Sequence, residues 1–427
     1  MTKRTAVDEQ IVAVPTESGI RARVAVKKGY AKKYALVMAE YGSIDNEFTI
    51  GPSKRATKMP HGIAHFLEHK MFEKKDGDIS DRFARFGATA NAMTSFESTA
   101  YFFECTENFE ANLEILMELV AQPYFTQKLV DKEKGIIAQE IRMYEDDPSW
   151  RGSVRVLKNL YGKHPVAVDI AGTVESIAGI TADDLATCHR AFYAPDSLTL
   201  SMAGDLDPVT AVAAAERALR RIGRDPAPAV VRRYPAARKA PTGISREVAD
   251  VRSSKVFGGW RVPIDGARGE ALIDIETALD LYVGTVFSTA CALHKKLFGK
   301  GLIDDSFSVS TTVEREFAFV TWNGDTPDPE ALLAGIIDGV DAVRKDGLGK
   351  AEMRRIRRRM YGGYVKGFNS LENVAWNVAE CLAKDVDYLK WGERLMALTD
   401  DRALAIGRRA LSPENFSAHV IDPKTKS

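Results

Sequence analysis

The chain is short of several things. Its 427 residues include only four cysteines, Cys105, Cys188, Cys291 and Cys381, widely spaced and with no CxxC pair. That excludes a disulfide framework and favours a reducing compartment. No apolar run approaches the ~20 residues that span a bilayer. The opening MTKRTAVDEQ has neither an apolar core region nor a small-residue cleavage site, so a secretory leader is not expected and the cytoplasm is the default location. Charge of one sign is missing as well. Lys plus Arg and Asp plus Glu both number 59, so net charge points to neither nucleic acid nor a membrane as the main partner. There is no Gly-rich phosphate loop and no convincing Ser/His/Asp order. The one basic run, Arg354 to Arg359, has no interleaved aromatics and reads as a solvated helix face or one wall of a substrate chamber.

What is present is the composition of a soluble globular protein, 45% hydrophobic and 28% charged, in a chain long enough for two domains of roughly 200 residues. Alternation predicts strands at Ile11 to Val14, Arg21 to Val26 and Tyr34 to Tyr41; Ala90 to Glu104, rich in Thr, Phe and Tyr, reads as strands again, and Leu198 to Ala203 as a buried strand. Helical spacing predicts helices at Gly62 to Phe72, Asn108 to Val120, Thr126 to Tyr144, 182–191 and 208–220. In the helix that opens at Thr126, Ile136, Ile137 and Ile141 are the expected core stripe. The Pro-, Ala- and Arg-rich stretch 222–248 reads as a linker. After it the order of elements repeats, with strands near 250–262, one long helix from Ile275 to Phe298, strands at 305–323 and helices at 328–345 and 349–368. Glu133-Lys-Gly-Ile-Ile-Ala-Gln-Glu140 can be laid over Glu352-Met-Arg-Arg-Ile-Arg-Arg-Arg359. The expectation is an α+β protein of two homologous domains, 1–221 and 249–427, each an antiparallel-rich sheet with helices packed on one side.

The chemistry concentrates in His65-Phe66-Leu67-Glu68-His69. On a helix, positions i and i+4 share a face, so two imidazoles can hold one ion with Glu68 beside them. This H-x-x-E-H order inverts H-E-x-x-H and is a zinc-peptidase signature. Two imidazoles and a carboxylate would leave one coordination position open, as a catalytic zinc site requires. Glu133 and Glu140, two turns apart on one helix face, are candidates to complete the set.

Three stretches together, Gly62-Ile-Ala-His-Phe-Leu-Glu-His69, Asn91-Ala-Met-Thr-Ser-Phe-Glu-Ser-Thr-Ala-Tyr101 and Glu133-Lys-Gly-Ile-Ile-Ala-Gln-Glu140, resemble the pitrilysin/insulinase-type zinc peptidases, which include the mitochondrial processing peptidase. The resemblance is strong over roughly 1–220 and weaker beyond. It implies one Zn2+ per chain on His65, His69 and Glu140, Glu68 as general base, and Glu133 as a carboxylate supporting the site. It also implies that Asn91 and Ala92 lie on an edge strand to which a peptide substrate adds as a further strand. Active members of the family carry an Arg and a Tyr near a Gly-Leu in the second half. Here Phe298 and Asp304 stand at those places, flanking Gly301-Leu302. The chain thus resembles the zinc-bearing subunit of paired bacterial members, and the implied partner is a homologous subunit in a heterodimer, or a second copy in a homodimer. The rivals are a catalytically silent scaffold and a peptide-binding subunit of the same fold. His294, His61, His164, His189 and His419 are expected to be surface or packing residues.

Overall fold

A computed structural model describes residues 7–223, 228–236 and 243–424. The chain forms two compact units. The first is drawn from Met1–Ile141, Asp169–Tyr234 and Val365–Lys390, and the second from Arg142–Val168, Pro235–Tyr364 and Trp391–Ser427. Each unit therefore takes in one segment from the other half of the chain. Part of the predicted linker, 224–227 and 237–242, lies outside the described residues. Within 222–248, Val230–Arg232 pairs antiparallel with Glu47–Ile50 in the first unit.

The first unit is built on a six-stranded sheet. Its order is Gln10–Val14, Arg21–Val26, Leu198–Gly204, Lys33–Ala39, Thr99–Cys105 and Ala88–Thr94. Every pairing is antiparallel except that of Leu198–Gly204 with Arg21–Val26. Strand periodicity divides the side chains between the two faces. Ala35, Val37, Tyr101 and Phe103 point into the main core with Phe66, Leu67, Leu113 and Leu116 from the helices. Tyr34 and Phe102 point the other way, where they meet Trp376 of helix Leu371–Ala383. The Trp376 Nε1–H donates to Tyr34 Oη at 3.1 Å, and the Phe102 and Trp376 rings cross edge-on.

The second unit repeats the plan with a five-stranded sheet. Its order is Ile244–Ala249, Phe416–Pro423, Ser254–Arg261, Ala318–Thr326 and Ser308–Val313. Val256, Trp260, Val320 and Val420 face the core with helices Gly269–Phe287 and Pro329–Asp346. Phe257 and Ile421 face Val156 of helix Pro148–Tyr161 on the reverse side. The two reverse-face helices hold corresponding places, each following the long helix of its half: Gln127–Asp146 before one, Lys350–Gly367 before the other. The repeat read from the sequence thus extends to an exchanged helix. Most helices pack on one face of each sheet, as predicted, and the exchanged helix covers the other. The single helix expected from Ile275 to Phe298 is two, Gly269–Phe287 and Ala292–Gly299, with the break at Ser288 to Cys291. No helix is long and apolar enough to cross a membrane among the described residues.

The helix Ile63–Phe72 is set by its core stripe and its entry. Ile63, Ala64, Phe66, Leu67 and Met71 are each at most 1% exposed, and complete burial of a large apolar side chain stabilises by ~1.5–3 kcal/mol. That fixes the rotation of the helix and leaves His65, Glu68 and His69 on its remaining face. Gly62 precedes it with φ 87°, a left-handed conformation that costs a residue with a Cβ about 1–2 kcal/mol. A Cβ at Gly62 would also stand 2.3 Å from the carbonyl oxygen of Ala171. Gly62→Ala is therefore expected to destabilise the protein by at least about 2 kcal/mol in urea unfolding. A loss below about 0.5 kcal/mol would contradict this reading of the helix entry.

Candidate metal centre

Two helices bring the predicted residues together. His65 and His69, four apart on Ile63–Phe72, have ring centroids 4.6 Å apart. Glu140 comes from helix Gln127–Asp146, whose buried stripe is Val130, Ile137, Ala138 and Ile141. Ile136 is not part of that stripe; it is 47% exposed. Its position explains this, since it sits three after Glu133 and four before Glu140 and so shares their face. The expected core role of Ile136 is corrected accordingly, while Ile137 and Ile141 are buried as expected.

His65 Nε2 lies 3.7 Å from Glu140 Oε1, and His69 Nε2 lies 3.5 Å from Glu140 Oε2. One donor atom from each of the three residues falls within 4.8 Å of the other two. Donors ~2.1 Å from a shared tetrahedral ion are separated by about 3.4 Å, so this set fits a zinc ion in both chemistry and spacing. It is the one group of metal-ligating side chains found among the described residues.

The surroundings divide the roles. Glu133 Oε1 is 3.2 Å from His69 Nδ1, and Glu133 Oε2 is 3.3 Å from Lys70 Nζ. Lys70 also pairs with Glu73. Glu68 accepts a hydrogen bond from Thr94 Oγ1. Thr94 in turn lies 3.5 Å from Thr99 Oγ1, which donates to the Tyr41 carbonyl at 2.8 Å. Sequence reasoning missed Thr94, Lys70 and Glu73. The only signals for the last two were a lysine directly after the motif and a glutamate three residues on.

These contacts shape the protonation states. Burial, reinforced by the neighbouring His69, pulls His65 down to about 4, so it is neutral near pH 7, the form that can donate a lone pair. Burial also acts to lower His69, but the Glu133 hydrogen bond and the charges of Glu68 and Glu140 outweigh it and raise that imidazole. Burial lifts Glu68 above the usual carboxylate range despite the Thr94 hydrogen bond. A carboxylate moved that way is better matched to accept and return a proton near neutral pH. Glu133 goes down, because His69 and Lys70 more than offset its burial.

Asn91 and Ala92 lie in Ala88–Thr94, which forms one edge of the six-stranded sheet and pairs only with Thr99–Cys105 among the described strands. Asn91 is exposed and Ala92 half-buried. The same strand ends at Thr94, the residue that holds Glu68, so the free edge leads directly to the candidate base.

The remaining histidines have other surroundings. His189 Nε2 contacts the Val120 carbonyl at 2.9 Å, His419 is paired with Ser245, His164 caps a short 3-10 turn, His61 is half-buried, and His294 stacks on Phe298. In the second unit Arg359, Phe298 and Asp304 are exposed. Of the basic run, Arg357 is tied down, donating to the Leu395 and Leu398 carbonyls and to Asp400 at 2.6 Å in each case.

Comparison with known proteins agrees with this geometry. The sequence profile for insulinase (peptidase family M16) matches residues 52–174, and that for the peptidase M16 inactive domain matches residues 179–360. The "Uncharacterized zinc protease YmfH" of Bacillus subtilis is 39% identical over 84% of this chain and 84% of its own length. The crystal structure of an M16-like peptidase from Alicyclobacillus acidocaldarius superposes with a TM-score of 0.94 at 29% identity, covering 98% of this chain and 99% of that one. Pitrilysin shares the fold at a TM-score of 0.73 and 16% identity, with 98% of this chain covering 45% of that longer one. With the His65-x-x-Glu68-His69 motif inside the insulinase match and its donors gathered around Glu140, the chain belongs to the M16 (insulinase) peptidase family.

Proposed function

We propose that this chain is a zinc endopeptidase, with the metal on His65, His69 and Glu140, and Glu68 as general base. The observation that carries the proposal is the meeting of those three donors within 4.8 Å of one another beside the half-buried Glu68 carboxylate. A zinc ion bound there supplies a Lewis acid. The chain's own residues do the rest. Main-chain groups along the Asn91-Ala92 edge offer hydrogen bonds to an extended peptide, which gives affinity without demanding a sequence. Thr94 holds the Glu68 carboxylate in place. Glu68 takes the proton of the attacking water and returns it to the leaving amine. Glu133 accepts from His69 and orients its ring.

In this reading the substrates are short or unfolded peptides, cut within a chamber that a homologous second subunit closes. Phe298 and Asp304 offer no oxyanion donor of the Arg/Tyr kind, which supports a heterodimer in which the partner supplies the pair. None of the four cysteines forms a disulfide and all four are buried, in keeping with a reducing cytoplasmic setting. A silent scaffold or peptide-binding role is the rival reading, and the profile named for the inactive domain of the family is what favours it.

Three outcomes are expected. Peptide cleavage followed by mass spectrometry should fall at least about a hundredfold in Glu68→Gln with zinc content unchanged. An unchanged rate, or no cleavage by the wild type in any assembly, would favour the scaffold. Removing zinc with a chelator should abolish cleavage, and adding zinc back should restore it. Mixing with a homologous chain that carries the Arg/Tyr pair should raise the rate by ~100-fold or more, the scale of a lost oxyanion donor. Full activity of the isolated chain, indifferent to such a partner, would end the heterodimer proposal.

A further inference from the structure

Lys70 has no part in the chemistry above, yet it is fully buried, with 0% of its surface exposed. A buried ammonium is costly unless it is paired. Lys70 is paired twice, with Glu133 Oε2 at 3.3 Å and with Glu73, the residue that follows its helix. The other oxygen of Glu133 faces His69 Nδ1 at 3.2 Å. A relay therefore runs Glu73, Lys70, Glu133, His69, and ends on a candidate metal ligand. The other imidazole has no such support, because His65 Nδ1 is buried without a hydrogen-bond partner among the described residues. Whatever orients the imidazoles through their far nitrogens thus acts on His69 through Glu133.

We propose that Lys70 is a positioning residue of the metal centre: with Glu73 it pins the Glu133 carboxylate, so that Glu133 accepts the Nδ1–H of His69 and leaves His69 Nε2 bare toward Glu140. A carboxylate held at both oxygens cannot rotate about its terminal torsion without breaking a contact, whereas one held only by the imidazole can. Lys70 adds no ligand and touches no substrate; it narrows the orientations of a ring that must arrive with the correct nitrogen forward. This inference rests on the zinc reading above.

The test is a double-variant cycle on zinc affinity, read by chelator competition, with the melting temperature of the metal-free protein measured alongside. Lys70→Met is expected to weaken zinc binding by about ten- to a hundredfold. Charge alone predicts the opposite sign, since removing a cation beside a cation site would tighten binding, so a loss isolates positioning from electrostatics. In a Glu133→Gln background the same substitution should change zinc affinity by less than about twofold, because the group it acts through is already altered. Equal losses in both backgrounds, or wild-type affinity in Lys70→Met, would overturn the role. Should Lys70→Met fail to fold, Glu73→Gln reads the same relay from its more accessible end. A several-fold loss is expected in the wild-type background and none with Glu133→Gln, and no loss in either overturns the role. A wild type that binds no zinc, or a His65→Ala variant that binds it normally, would instead remove the metal reading itself.

Discussion

The site depends on two helices meeting with their rotations fixed. His65 and His69 reach Glu140 only because Phe66, Leu67 and Met71 anchor one helix in the core while Val130, Ile137 and Ile141 anchor the other. One residue of slip in either would turn its polar face by about 100°. That would drive imidazoles or carboxylates into an apolar interior where unpaired charge is not tolerated. Gly62 sets where the first helix begins, and the strand carrying Thr94 sets where Glu68 points. The geometry of the candidate metal site and the packing of the core are here one constraint.

Much of this was legible in the sequence, for identifiable reasons. The H-x-x-E-H spacing states its own face, because helical periodicity is strict. The same arithmetic puts Glu133 and Glu140 together. Applied to Ile136 it would have set that residue beside them too, but its hydrophobicity assigned it to the core stripe, and the structure shows that the face mattered more. The strands of the first sheet were visible through alternation near the start of the chain, through Thr, Phe and Tyr across Ala90 to Glu104, and through a continuous buried run at Leu198 to Ala203. The exchanged helices were not, because what makes Leu371–Ala383 pack against Tyr34 and Phe102 is a tertiary match that no local pattern announces. Nor was the break in the helix before Ala292, where Ser288 to Cys291 contains neither Gly nor Pro. Lys70 was passed over because a lysine in a polar helix face ordinarily reaches solvent. Its burial is evident only once Glu133 and Glu73 are placed around it.

The two units share a plan and have diverged at the place where it matters. The first has two imidazoles and Glu68 on one helix and two carboxylates from the long helix. The second has Arg359 at the position matching Glu140, and exposed Phe298 and Asp304 where a donor pair would serve. The shared plan comprises two sheets, two long helices and two exchanged helices, and the candidate metal ligands lie in the first copy. The family assignment carries the peptidase class. The proposed peptide substrate follows from the free edge at Asn91 and Ala92, and the proposed second subunit from what the second unit lacks.

Anomalous diffraction at the zinc edge, on protein grown with stoichiometric zinc, tests the central claim most directly. The account predicts one zinc per chain, ~2.0–2.2 Å from His65 Nε2, His69 Nε2 and a Glu140 oxygen. Zinc bound elsewhere, or a Glu140 carboxylate turned away from both imidazoles with zinc present, would contradict it.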